Sequence, residues 1–255
     1  MIAPAEHAIR GLAAAATATD ALINAVDKLD DVSVRGPSLL PGWTRGHVVT
    51  HLARNADALL NLLIWARTGV EHPMYASRAD RDADIEEGAA RGYLLLAEDL
   101  FAACDRFRRA ADEMPDSAWS AGLTTARGAA IRAARVPWLR TREVWLHLVD
   151  LDAGVGLDAI PGELIEQLLD EVVFEYGGRT DVPDIAVRAG LPDGRWRSWR
   201  LGDEAAQAAE DPGSGEPAIG AQTVSGSGPA VLAWLTGRRG GELLTPAPPV
   251  LPPWA

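Results

Sequence analysis

The stretch Pro137-Trp138-Leu139-Arg140-Thr141-Arg142-Glu143-Val144-Trp145-Leu146-His147-Leu148-Val149-Asp150-Leu151 reads as one buried helix carrying two polar groups. Proline suits a first helical turn, where its missing N–H has no intrahelical partner. The residues that follow are apolar on nearly every side, and a helix apolar all round is a core helix. Glu143 and His147 nevertheless sit inside it, four residues apart and therefore on one face. A buried carboxylate costs several kcal/mol or shifts its pKa unless something compensates it. A divalent metal is one such partner, since carboxylate oxygen and imidazole nitrogen both bind zinc. Taken alone, the helix leaves two other readings open. Glu143 and His147 could hydrogen-bond each other, or Glu143 could pair with Arg142 or Arg140 at the surface.

Upstream, the residues group into three more helical segments. Residues 5–29 repeat apolar groups at Ile9, Leu12, Ala16, Leu22, Ile23 and Val26, which predicts an amphipathic helix. Gly36, Pro37, Pro41 and Gly42 then mark a loop. A second helix is predicted to open at the N-cap Thr44 and to run to a terminating Gly69, with Val48, Leu52, Ala56, Leu59, Leu60 and Leu63 as its core stripe. His47 and His51 lie one turn apart on the border of that stripe. Residues 79–113 read as one long helix ending near Met114-Pro115, with a turn-rich connection beyond. Four long helices describe a bundle, and bundles build metal sites from side chains on facing helices. His51 on the second helix, with Glu143 and His147 on the fourth, would supply three inward ligands. Three protein ligands plus an open position is the pattern of a catalytic zinc.

After Asp152 the character changes, at a Gly-rich stretch. Residues 162–176 read as a short helix, 184–189 and 196–201 as strands, and 222–226 as a third strand. Residues 202–221 form an acidic, Gly/Pro-rich loop, residues 229–236 a helix, and residues 246–254 a proline-rich tail lying extended over the surface. The expected class is α+β: a helix bundle over residues 1–155 followed by a smaller α+β domain over 160–255.

Composition narrows the function classes. A net charge of −12 argues against a nucleic-acid backbone as partner. No run approaches the roughly 18–20 apolar residues of a membrane span. The N-terminus lacks a secretory leader's basic and apolar regions, so a cytoplasmic location is expected. The single cysteine, Cys104, excludes an intramolecular disulfide or a cysteine metal cluster and reads as structural.

The run Gly42-Trp43-Thr44-Arg45-Gly46-His47-Val48-Val49-Thr50-His51-Leu52-Ala53-Arg54-Asn55-Ala56 resembles the mycothiol-dependent maleylpyruvate isomerase family. So do Trp65-Ala66-Arg67-Thr68-Gly69, Pro73-Met74-Tyr75-Ala76-Ser77 and residues 142–151. The likeness covers the first 150 or so residues closely, and further on rests mainly on Val224-Ser225-Gly226-Ser227 and Thr236-Gly237-Arg238; the acidic loop has no counterpart. It implies a DinB-like four-helix bundle, with zinc on His51, Glu143 and His147. It also implies that Arg238, catalytic and cofactor-binding, reaches the active site from the C-terminal domain at the domain cleft. Without the matching Gly-Arg context, Arg238 would read as an exposed loop cation. Arg81 matches a family arginine of unassigned role. His47 matches too, as a histidine that supports the site or packs the helix.

The implied reaction is conversion of maleylpyruvate to fumarylpyruvate, a step of gentisate degradation. A thiolate adds to the alkene, the bond made single rotates, and elimination restores the double bond. Cys104 has no claim to that role, so an external thiol, mycothiol, fits. Zinc would lower the thiol's pKa, and Arg238 would hold a substrate carboxylate and stabilise the enolate. The implied partners are thus a small-molecule substrate and a low-molecular-weight thiol, with no nucleic acid or membrane and a monomer favoured. A mycothiol S-transferase would share the metal site and differ in its pocket lining. A non-enzymatic metal-binding bundle would lack part of the ligand set, and a purely structural bundle would leave Glu143 buried without purpose.

Overall fold

A computed structural model describes residues 3–202 and 223–254. The acidic stretch beyond Gly202, together with Gln222 of the third expected strand, lies outside the described residues. The chain divides into two compact units, Met1–Val155 and Gly156–Ala255.

The first unit is built on α1 (Pro4–Val26), α2 (Arg45–Thr68), α3 (Arg78–Ala89), α4 (Tyr93–Asp112) and α5 (Val136–Asp150). The four long helices pack as a bundle, α2 against α4 and α5, and α1 against α5 and α4. Along α1 the buried side is a stripe of Ala8, Ala15, Ala18, Leu22, Ala25 and Val26, whereas Ile9 is 60% exposed. In the first half of α1 the core face runs through Ala8 and Ala15 in place of the expected Ile9 and Ala16, while Leu22 and Val26 are core as expected. Small residues win that face because α1 lies close to α5: a Cβ on Gly11 would stand 3.0 Å from the Cβ of Pro137.

Helix α2 begins and ends where its end groups dictate. Thr44 caps it and His47 reaches back to the Thr44 N–H through Nδ1 at 3.1 Å, a reciprocal capping pair. Gly69 closes it in the left-handed region at φ 73°. The long third helix expected over 79–113 is in fact two, broken at Ala90–Gly92. Gly92 becomes the extended N-cap of α4, and α3 turns aside to lie on α2. Two glycines permit that approach. A Cβ on Gly88 would stand 2.3 Å from Thr50 Cγ2, and one on Gly46 would stand 2.9 Å from the Ala89 carbonyl oxygen. The turn-rich connection holds an antiparallel hairpin, β1 (Gly122–Thr124) with β2 (Ala130–Arg132).

In the second unit, α6 (Gly162–Tyr176) and α7 (Gly228–Leu235) pack on each other. Its sheet runs β4 (Trp196–Leu201), β3 (Ile185–Gly190), β5 (Thr223–Ser227), with β3–β4 antiparallel and β3–β5 parallel. The proline-rich tail is held through its carbonyls: Tyr176 Oη donates to Pro252 and Trp234 Nε1 to Pro249. Among the described residues no helix is long and apolar enough to cross a membrane.

Candidate metal centre

Two ties bring α2 and α5 into register. Arg45, at the first turn of α2, donates to the carbonyls of Leu151 and Asp152 at 2.9 Å each, satisfying acceptors left over at the end of α5. The Leu39 N–H donates to the Asp150 carbonyl at 2.8 Å, fastening the preceding loop to the same end. His51, two turns into α2, is thereby set beside His147 near the end of α5. Their rings meet edge to face with centroids 4.5 Å apart.

His51, Glu143 and His147 each offer a donor atom, all within 4.8 Å of one another. Glu143 Oε2 stands 3.3 Å from His51 Nε2 and 3.5 Å from His147 Nε2. Charge-assisted N–H···O bonds are shorter, about 2.7–2.9 Å. Ligand atoms about 2.0–2.1 Å from a tetrahedral ion stand roughly 3.3–3.4 Å apart. The two distances are those of long hydrogen bonds, and they are also those of ligands around a shared ion. Two imidazoles and a carboxylate are also the donor chemistry of a catalytic zinc site with one open position. Of the two carboxylate-pairing alternatives, one is partly present: Arg142 Nη2 lies 3.5 Å from Glu143 Oε1, leaving Oε2 to the histidines. Arg140 goes elsewhere. It is fully buried and donates to the Leu52 carbonyl, Asn55 Oδ1 and Cys104 Sγ, so Cys104 serves as a packing and acceptor group.

The electrostatics separate the three donors. Burial pulls His51 down to about 4, reinforced by His147, so its ring is neutral. Burial alone would raise the Glu143 carboxyl, but the hydrogen bonds from His147 and His51 outweigh it and hold the group well below its usual range. Burial would likewise lower His147, yet its bonds to Asp150 and Glu143 raise it above the ordinary histidine value.

Asp150 was not singled out by sequence reasoning. It is 1% exposed, and its Oδ2 accepts from His147 Nδ1 at 2.9 Å. That bond fixes the tautomer and presents the Nε2 lone pair to the centre, the usual way a carboxylate orients a metal-binding histidine. The i, i+3 spacing of His147 and Asp150 on one helix was the available clue. Asp150→Asn is expected to weaken divalent-metal binding by about 10- to 100-fold, measured by competition with a chelator. It should also move the pH dependence. A proton must leave His147 before a metal binds, so the apparent metal affinity weakens as pH falls below the raised His147 value of the metal-free protein. Without the Asp150 carboxylate that pKa falls, and protons compete only at lower pH. An unchanged pH profile would count against Asp150 orienting the ligand.

The other matched residues of the first unit surround this centre. Trp43 stacks on His47 at 5.9 Å and tilts against His51 at 5.7 Å. His47 turns Nε2 toward Glu86, 3.3 Å away, and so works as a cap and a packing group. Arg81 on α3 places Nη2 3.2 Å from His51 Nδ1, with Nη1 2.7 Å from Asp82 Oδ1 and its guanidinium carbon 5.8 Å from the Tyr75 ring centre. Burial raises the Tyr75 phenol, with Arg81 opposing part of the shift. In the second unit, Arg238 follows a complete helix stop. The Arg238 N–H bonds the Ala233 carbonyl at 2.8 Å and the Gly237 N–H bonds that of Trp234 at 3.1 Å, with Gly237 left-handed at φ 69°. The Gly-Arg pair is thus a structural device that sets Arg238 just past the end of α7.

The model of the mycothiol maleylpyruvate isomerase N-terminal domain matches residues 15–152. Crystal structures of the mycothiol-dependent maleylpyruvate isomerase and of a histidine-to-alanine mutant of it are similar to this chain over the full length of both chains. Each is 28% identical with a TM-score of 0.80. No curated protein matches the chain.

Proposed function

This chain belongs to the mycothiol maleylpyruvate isomerase family, and we propose that it isomerises maleylpyruvate to fumarylpyruvate using zinc and mycothiol. The observation that carries this reading is the convergence of His51, Glu143 and His147 at the spacing of ligands to a tetrahedral ion. With Cys104 committed to Arg140, the reacting thiol comes from outside the chain. Bound zinc would lower that thiol's pKa toward neutrality, and reversible addition of the thiolate to the alkene makes its double bond transiently single.

The chain's own residues do the rest. His51 and His147 turn Nε2 inward and would give its lone pair to the metal, His51 kept uncharged by burial and His147 aimed by Asp150. Glu143 supplies the negative charge of the donor set. Arg238 pairs with a substrate carboxylate and stabilises the negative charge that develops on the substrate oxygen conjugated to the alkene.

The test is an isomerisation assay that follows the substrate enol's absorbance. Turnover is expected with mycothiol, and is expected to be lost when glutathione replaces mycothiol or when a chelator strips the metal. A metal-loaded protein that fails to turn over maleylpyruvate would overturn the substrate assignment. A thioether conjugate accumulating from another electrophile would identify S-transfer in its place.

A further inference from the structure

Arg81 touches the candidate centre through Nδ1 of His51, the ring nitrogen that faces away from Glu143. A guanidinium only donates hydrogen bonds, so Nη2 at 3.2 Å makes His51 Nδ1 an acceptor. The single proton of the neutral ring then sits on Nε2, pointing at Glu143 Oε2. An ion on Nε2 uses that nitrogen's lone pair, and the ring proton has to sit on Nδ1. Two N–H groups then face each other across the same gap, and Arg81 loses its acceptor. Asp82 still holds Nη1 and Tyr75 still flanks and hydrogen-bonds the guanidinium, but the Nη2 hydrogen given to His51 needs a new acceptor.

We propose that Arg81 is a substrate-carboxylate clamp which metal binding releases from His51. The inference rests on the function proposed above, whose substrate carries two carboxylates, one of them given to Arg238. A guanidinium that has lost an acceptor beside a bound divalent ion would favour an anion, and a carboxylate matches its N–H geometry. Arg81 thus couples the two loads: metal first, then the dianion.

The experiment uses succinate, an unreactive dicarboxylate, titrated calorimetrically into zinc-loaded full-length protein. Chelator competition gives zinc affinity, and nitrogen NMR of labelled histidine gives the His51 tautomer. Arg81→Gln is expected to lower succinate affinity about 10- to 100-fold, the worth of a charge-assisted hydrogen bond, while zinc affinity holds or rises. Arg81→Lys should recover part of the binding. In wild type the His51 proton should move from Nε2 to Nδ1 on zinc loading. Zinc affinity falling tenfold in Arg81→Gln with succinate binding unchanged would overturn the proposal and make Arg81 a prop for His51. A ring already protonated on Nδ1 in the metal-free protein would overturn it too. None of these readouts requires turnover, so failure of the isomerase reading and failure of the clamp are distinguishable.

Discussion

Glu143→Gln is expected to lower zinc affinity by roughly 10²- to 10³-fold and to remove isomerisation with it. Structural zinc sites release about 10–16 kcal/mol in all, so one of four ligands accounts for roughly 3–4 kcal/mol. The substitution removes more than one oxygen's bond, because Glu143 carries the only formal negative charge among the three donors. An amide would also turn N–H groups or a weak neutral oxygen toward His51 and His147, which stand 3.3 and 3.5 Å from the carboxylate. Chelator competition and the isomerisation assay, run beside circular dichroism to confirm the helices, make the check. Full zinc loading by the variant would remove Glu143 from the ligand set.

The fold should also register the change through pH. Glu143 is held below its usual range in the folded protein, so its contribution to stability is present above the unfolded carboxylate pKa and is lost as pH falls through the depressed value. Metal-free wild type is therefore expected to show a Glu143 component of stability loss in that acidic window that Glu143→Gln lacks.

Arg238→Ala is expected to lower kcat/KM by about 10²- to 10³-fold, the usual cost of deleting a donor that stabilises a developing oxyanion. Zinc affinity should be unchanged. Arg238→Lys should restore only part of the loss, because a point charge replaces a planar fork. Gly237 holds the left-handed turn and the Arg238 N–H closes the end of α7, so neither substitution removes the backbone stop. A variant with unimpaired kcat/KM would return Arg238 to the status of a loop cation.

What was readable in the sequence follows physical range. Where neighbouring residues decide the outcome, the reading and the structure coincide: the proline at the start of α5, the Thr44 cap and Gly69 stop of α2, and the bounds of α6 and β4. Where a distant partner decides, they part. Ile9 looked like core and is exposed, because α5 demands small residues of α1. The 79–113 segment kept its helical periodicity throughout, but Gly92 serves as the extended N-cap of α4 and Gly88 lets α3 pack closely on α2. The hairpin β1–β2, with only three residues per strand, is too short to show a period.

The same division runs through the candidate centre. By itself the sequence determined which side chains can ligate and which share a helix face, since the spacing of Glu143 and His147, and of His147 and Asp150, is set by the 3.6-residue turn. It also determined the class of the chain, through the family-like runs on α2 and α5. Only the tertiary structure decided that His51 meets that face. This depends on Arg45 and Leu39 bonding carbonyls more than a hundred residues away in the chain, for which no local pattern exists. It alone decided that Arg140 turns inward to Asn55 and Cys104, and that Arg81 comes to rest on His51 because two glycines let α3 settle against α2. Contacts such as these arise when packed surfaces find their closest approach, and close packing is a property of the assembled core rather than of any one stretch.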